Sequence, residues 1–82
     1  MAVQNFASIA EQVAASSGLE GRWVGDDFVT FVDHGVRLVL TCLDERSFSY
    51  LFFRLGDLDY TSGVRTYTAA KPAEFAKMLH RS

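Results

Sequence analysis

The sequence predicts a two-layer α+β domain, a four- to five-stranded antiparallel β-meander carrying an N-terminal and a C-terminal helix on one face (α-β-β-β-β-α). Three observations lead there. Apolar residues recur at helical spacing near both ends, they recur at a period of two in between, and the strand-like runs are separated by intervals too short for helical crossovers. With 82 residues the chain suffices for one core and not for two, so 1–82 is read as a single domain.

The first helix rests on Phe6, Ile9, Ala10 and Val13, which follow the i, i+3, i+4, i+7 stripe. Ala7, Ala14 and Ala15 add helix propensity, and Ser16-Ser17-Gly18 ends the run with a glycine at the C′ position. From Leu19 to Ala69 β-branched and aromatic residues dominate. Turn chemistry punctuates that stretch at Gly25-Asp26-Asp27, Asp33-His34-Gly35, Asp44-Glu45-Arg46-Ser47 and Gly56-Asp57. Gly63 leaves open whether 61–68 is one strand or two. Pro72 suits the first turn of a second helix whose apolar side is Phe75, Met78 and Leu79. Glu74 near its start and Lys77, His80 and Arg81 near its end complement the helix dipole.

Turn length then sets register, and register assigns each side chain to a face. A two-residue turn at His34-Gly35 pairs Asp33 with Val36, Phe31 with Leu38 and Val29 with Leu40. A turn centred on Glu45-Arg46 pairs Leu43 with Phe48, Val39 with Phe52 and Arg37 with Arg54. A turn at Gly56-Asp57 sets Phe53 opposite Tyr60 and Arg54 opposite Asp59. One face so obtained is mostly aliphatic (Val24, Val29, Phe31, Val36, Leu38, Leu40, Cys42, Leu51, Phe53, Leu55, Leu58, Tyr60, Val64) and is expected beneath the helices. The other carries Trp23, Phe28, Phe48, Tyr50, Phe52 and Tyr67 with Arg37, Arg54 and Arg65, and Asp59 is its acid. Thr30, Val32, Val39, Thr41 and Leu43 complete it. Two short helices cover one side of a sheet only. A second face this rich in aromatics exceeds the few hundred Å² of the usual largest apolar patch of a monomer. It also holds the residue types of interface hot spots. The competing expectation is a sheet curled into a partial barrel with these residues inside.

Motifs for chemistry are weak by comparison. Cys42 is the only cysteine, which excludes an internal disulfide and a cysteine cluster for metal. Asp26, Asp27, Asp33 and His34 match neither a calcium loop nor a zinc pattern and read as turn residues. Cys42, His34 and Asp44 contain the ingredients of a thiol triad, but strand geometry puts His34 some 25 Å from Cys42. The serines lack a nucleophile elbow, and Gly18-Leu19-Glu20-Gly21 is followed by no helix to make a phosphate loop.

The expected function is therefore non-catalytic: a protein–protein interaction module, adaptor or stoichiometric inhibitor. It would bind through Trp23, Phe28, Arg37, Phe48, Tyr50, Phe52, Arg54, Arg65 and Tyr67, its partner a protein or a second copy of itself. Single-stranded nucleic acid ranks second, because exposed aromatics and arginines on a sheet also suit stacking and phosphate contact. A net charge of −2 and the missing RNA-recognition signature lower it. A small anionic ligand ranks third. No cofactor and no metal are expected. The absence of a signal-like start or a membrane-length apolar run, with one unpaired cysteine, makes the cytoplasm the expected compartment.

Overall fold

The computed structural model describes residues 2–80 and places seven elements in the expected order. Helix α1 spans Ala2–Ser17 and helix α2 spans Pro72–His80. Between them run β1 (Arg22–Val24), β2 (Phe28–Asp33), β3 (Val36–Cys42), β4 (Ser47–Arg54) and β5 (Tyr60–Thr66). The strands form one antiparallel sheet in the order β1-β2-β3-β4-β5, so neighbours in sequence are neighbours in space. The sheet does not close into a barrel: β1 and β5 are its two edges. No helix among the described residues is long and apolar enough to cross a membrane.

Local chemistry explains the helix ends. The Gly18 N–H donates to the Ala14 carbonyl (2.9 Å), closing α1 at the expected glycine. Helix α2 starts at Pro72 with Glu74 in its first turn and Lys77 and His80 in its last, while Arg81 lies outside the described residues. His80 then ties three elements together. Its Nε2–H donates to the Ser17 carbonyl at the end of α1 (2.7 Å), and its Nδ1 lies 3.6 Å from Asp33 Oδ2 at the end of β2.

Both helices pack on one face of the sheet. The core joins Phe6, Ile9, Ala10 and Val13 of α1 and Phe75 and Leu79 of α2 to Val29, Phe31, Val36, Leu38 and Leu40 of the sheet. Phe48 and Tyr50 of β4 belong to it too. Phe48 is its aromatic hub, fully buried and in ring contact with Phe6, Phe75 and Tyr67.

Turn length decides where expectation and structure part. His34 and Gly35 both adopt positive φ (48° and 86°), the two-residue hairpin turn that matches strand twist. Asp33 pairs with Val36 as expected. The β3–β4 connection is one residue longer than expected. Asp44 Oδ1 accepts hydrogen bonds from the N–H of Arg46 (2.8 Å) and from the N–H and hydroxyl of Ser47 (2.9 and 3.0 Å). This side-chain turn spreads the loop over Asp44, Glu45 and Arg46, and the Leu43 N–H donates to the Ser47 carbonyl behind it. Cys42 consequently pairs with Phe48 and Leu38 with Phe52. The expected pairs Leu43–Phe48 and Val39–Phe52 are therefore corrected by one residue, which turns every β4 side chain to the opposite face. Because Phe53 does pair with Tyr60, β5 inherits the same inversion. At the other edge three residues, Gly25–Asp27, separate the paired Val24 and Phe28, and β1 is inverted as well.

Strand β5 is continuous through Gly63, and the reason for a glycine there is steric. A Cβ at this position would stand 2.8 Å from the Tyr50 hydroxyl and 3.0 Å from its ring. Tyr50 is fixed between Phe75 (ring centroids 5.3 Å apart) and the Arg65 guanidinium, 4.9 Å over its ring.

Candidate functional site

Of the residues expected on the uncovered face, only Phe28 and Arg37 face away from the helices among the named binding candidates. Phe48 (0% exposed) and Tyr50 (7%) are core, and Phe52 and Tyr67 pack against that core. Trp23 meets Phe6 edge-on at 5.7 Å. Arg65 stacks on Tyr50, and Arg54, exposed at the last position of β4 opposite Val36, lies 3.8 Å from Asp57. That last pair, half-exposed on both sides, contributes ~1 kcal/mol or less. Apart from Phe28 and Arg37, the aromatic and arginine set is thus on the helix side, divided from the open face by the inverted registers of β1, β4 and β5.

The open face is nevertheless apolar: Val24, Leu51, Phe53, Tyr60 and Val64, expected underneath, join Phe28, Thr30, Val32, Arg37, Val39 and Thr41, which were expected there. Cross-strand pairing lays it out in three rows. One row is bulky: Val32, Arg37, Phe53 and Tyr60. A middle row runs Arg22, Thr30, Val39, Leu51 and Ser62. The third has small residues at its centre: Val24, Phe28, Thr41, Ser49 and Val64. Val24 (67% exposed), Tyr60 (68%) and Val64 (56%) stand far into solvent. No carboxylate lies in these rows.

Two details mark the bulky row. Arg37 Nε is closed off from solvent and has no hydrogen-bond partner among the described residues. A polar group left so costs roughly 1–3 kcal/mol. At the end of this row Leu51, Phe53, Leu58 and Tyr60 line a groove of about 340 Å³ with Asp57 and Asp59 at its rim. Leu58 projects there 98% exposed.

Elsewhere the polar groups serve structure. Cys42 Sγ lies 3.3 Å from the Tyr67 hydroxyl, which donates to the Asp44 carbonyl (3.3 Å). Burial, the contact with Cys42 and the Asp44 charge hold Tyr67 well above the ordinary tyrosine range, so it stays neutral at physiological pH. His34 lies at the far end of β3 from Cys42, 3.5 Å from Asp33. Asp33 thus stands between His34 and His80, while Asp26 and Asp27 occupy the turn at the opposite end of β2. Among the described residues no group of three or more histidines, cysteines and carboxylates is arranged to hold a metal.

Hydrogen bonds from the Arg46 N–H, the Ser47 hydroxyl and the Ser47 N–H hold the Asp44 carboxyl below the usual carboxylate range. A carboxyl with a depressed folded-state pKa contributes stability above its unfolded value near about 3.9, and that stability disappears as pH falls through the folded value. Asp44→Ala is therefore expected to be less stable than wild type at pH 7, with the difference shrinking below about pH 4. Urea titrations across that range measure it, and a gap that stays constant with pH would remove the turn carboxylate from this role.

No family model matches the chain, and neither the curated proteins nor the solved structures include a significant match.

Proposed function

We propose that the protein is a non-catalytic interaction module that binds a protein partner through the open face of its sheet. The observation carrying this reading is the composition of that face. Phe28, Val39, Leu51, Phe53, Tyr60 and Val64 lie on the side opposite the helices, where an ordinary two-layer domain is polar. An interface with an apolar centre and a polar rim has this make-up. The adaptor or inhibitor role, and the expected cytoplasmic setting, belong to this proposal.

Charge separates it from the alternatives. Nucleic acid needs several cations beside its stacking residues, and the open rows offer Arg22 and Arg37, while Arg65 is engaged on Tyr50. The groove beside Phe53 is rimmed by Asp57 and Asp59, which repel an anionic ligand.

Leu51→Glu tests the reading. Leu51 is central on the open face and half-buried, so the substitution keeps the fold while placing a charge where a partner would seat. Proteins captured by immobilised wild type and lost from the Leu51→Glu bait, then confirmed by binary titration with the purified chain, are the expected result. Identical capture by both baits would overturn it.

A further inference from the structure

We infer that β5 is a self-complementary edge at which two copies of this chain join into one continuous sheet. The two-fold axis stands perpendicular to the sheet and passes between the two Ser62 residues. This edge is a surface separate from the open face and leaves that face uncovered.

The backbone fixes which groups the edge offers. The Tyr67 N–H donates to the Arg46 carbonyl (2.9 Å), so that cross-strand pair is a hydrogen-bonded one. Hydrogen-bonded and non-hydrogen-bonded pairs alternate along an antiparallel ladder. Thr61, Gly63 and Arg65 therefore also turn their N–H and C=O groups to β4. Tyr60, Ser62 and Val64 turn theirs outward, where no further strand lies. Proteins ordinarily blunt such an edge with proline, lysine, a bulge or a very short strand. The other edge strand, β1, is three residues long, whereas β5 has seven, with neither proline nor lysine and with an unbroken register. The helices approach the sheet backbone mainly over β2 and β3, away from this edge.

The side chains favour one antiparallel register, the one that sets Ser62 opposite Ser62 of the second copy. Tyr60 then lies opposite Val64 of the second copy, and Val64 opposite its Tyr60. Both stand on the open-face side and are exposed in the single chain (68% and 56%). Aromatic and β-branched residues are favourable cross-strand partners. On the helix side Thr61 falls opposite Gly63, where there is no side chain to meet it. One step beyond the strand, Asp59 falls opposite Arg65. The Arg65 Nη1–H donates to the outward-facing Val64 carbonyl (3.3 Å), which holds the guanidinium at the edge. The exposed Asp59 carboxylate has no hydrogen-bond or ion-pair partner among the described residues. A two-fold contact makes each such pair twice. The two Arg65 residues stand six steps apart, about 20 Å, beyond the screening length of about 8–10 Å. Centring the contact on Gly63 would instead set Arg65 opposite Thr61. Centring it on Thr61 would set Arg65 opposite Asp57, which already lies 3.8 Å from Arg54.

An edge contact lies at the small end of interface sizes, where association is weak and reversible. Sedimentation equilibrium across a wide concentration range therefore tests it, on the full chain, Asp59→Arg, the exchange Asp59→Arg/Arg65→Asp, and Val39→Glu on the open face. Circular dichroism confirms that each variant is folded. Expected is a concentration-dependent wild-type dimer, weakened at least about tenfold by Asp59→Arg, which sets arginine against arginine twice. The charge exchange should restore most of the loss, and Val39→Glu should dimerise like wild type. Cross-linking gives a second reading that changes no charge. In a Cys42→Ala background Ser62→Cys should form a disulfide-linked dimer with oxidised glutathione, since opposed residues of a hydrogen-bonded pair have Cα atoms about 5.5 Å apart. Ser49→Cys, one strand inward, should not. A monomer at every concentration overturns the edge dimer and leaves the open-face reading to the capture test. An unchanged Asp59→Arg, or an exchange variant as weak as the single one, overturns the Asp59–Arg65 register. A dimer lost in Val39→Glu, or cross-linked at Ser49→Cys as readily as at Ser62→Cys, overturns the choice of the β5 edge.

Discussion

Phe48→Ala is expected to destabilise the domain by about 3–5 kcal/mol. Phe48 is fully buried, and its ring touches Phe6 from α1, Phe75 from α2 and Tyr67 beyond β5. Truncation therefore opens a cavity that no single element can close by moving. A domain of this length has a total stability of roughly 4–12 kcal/mol, so the loss is a large share of the whole. At about 4–8 °C per kcal/mol the midpoint of thermal unfolding should fall by about 12–40 °C. Phe53→Ala is the paired control. Phe53 lies five positions along the same strand but on the open face, where it is only half-buried, so its removal leaves the monomer's core intact. Thermal unfolding of both variants at low concentration makes the comparison. A mild Phe48→Ala beside a severe Phe53→Ala would mean that β4 presents the opposite face.

Gly63→Val is expected to be the second large loss, about 1–3 kcal/mol. Valine suits a strand better than glycine by up to about 1 kcal/mol, and an edge strand exposes enough surface for that gain to matter. Sterics oppose it. The added carbon would sit within 3.0 Å of a Tyr50 ring that is braced by Phe75 below and Arg65 above, so the ring cannot swing aside without giving up both contacts. The clash wins for valine, and alanine should lie nearer to balance. Urea unfolding of Gly63→Ala, Gly63→Val and the Gly63→Val/Tyr50→Phe pair separates these effects. Removing the hydroxyl that lies 2.8 Å from the added carbon should return part of the loss. A Gly63→Val chain as stable as wild type would show that β5 is free to move off β4 there.

Much of the architecture was legible in the residues. The apolar stripe of α1, the Pro72 start of α2 and the His34-Gly35 turn are local signals, and the structure follows each of them. The face that β4 turns to the helices departs from the expected one, though the strand holds a clue. Ser47 and Ser49 alternate with Phe48 and Tyr50, a phase that turns the aromatics inward. The hydrophobic pair Leu51-Phe53 obscured that phase further along. Asp44 followed three positions later by Ser47 is the other clue, since an aspartate side chain can close a turn wider than two residues.

The sequence by itself determined the element order, the antiparallel meander and the pairing of β2 with β3, because these depend on local periodicity and turn chemistry. Only the tertiary structure decided which aromatics are core and which residues make the open face. That choice turned on one extra residue in the β3–β4 loop and on the three-residue β1–β2 loop, and strand side chains alternate with a period of two, so a single step inverts a whole strand. Packing breaks the tie. The space between two helices and the sheet takes the rings of Phe48 and Tyr50, leaving Leu51, Phe53 and Tyr60 on the open side.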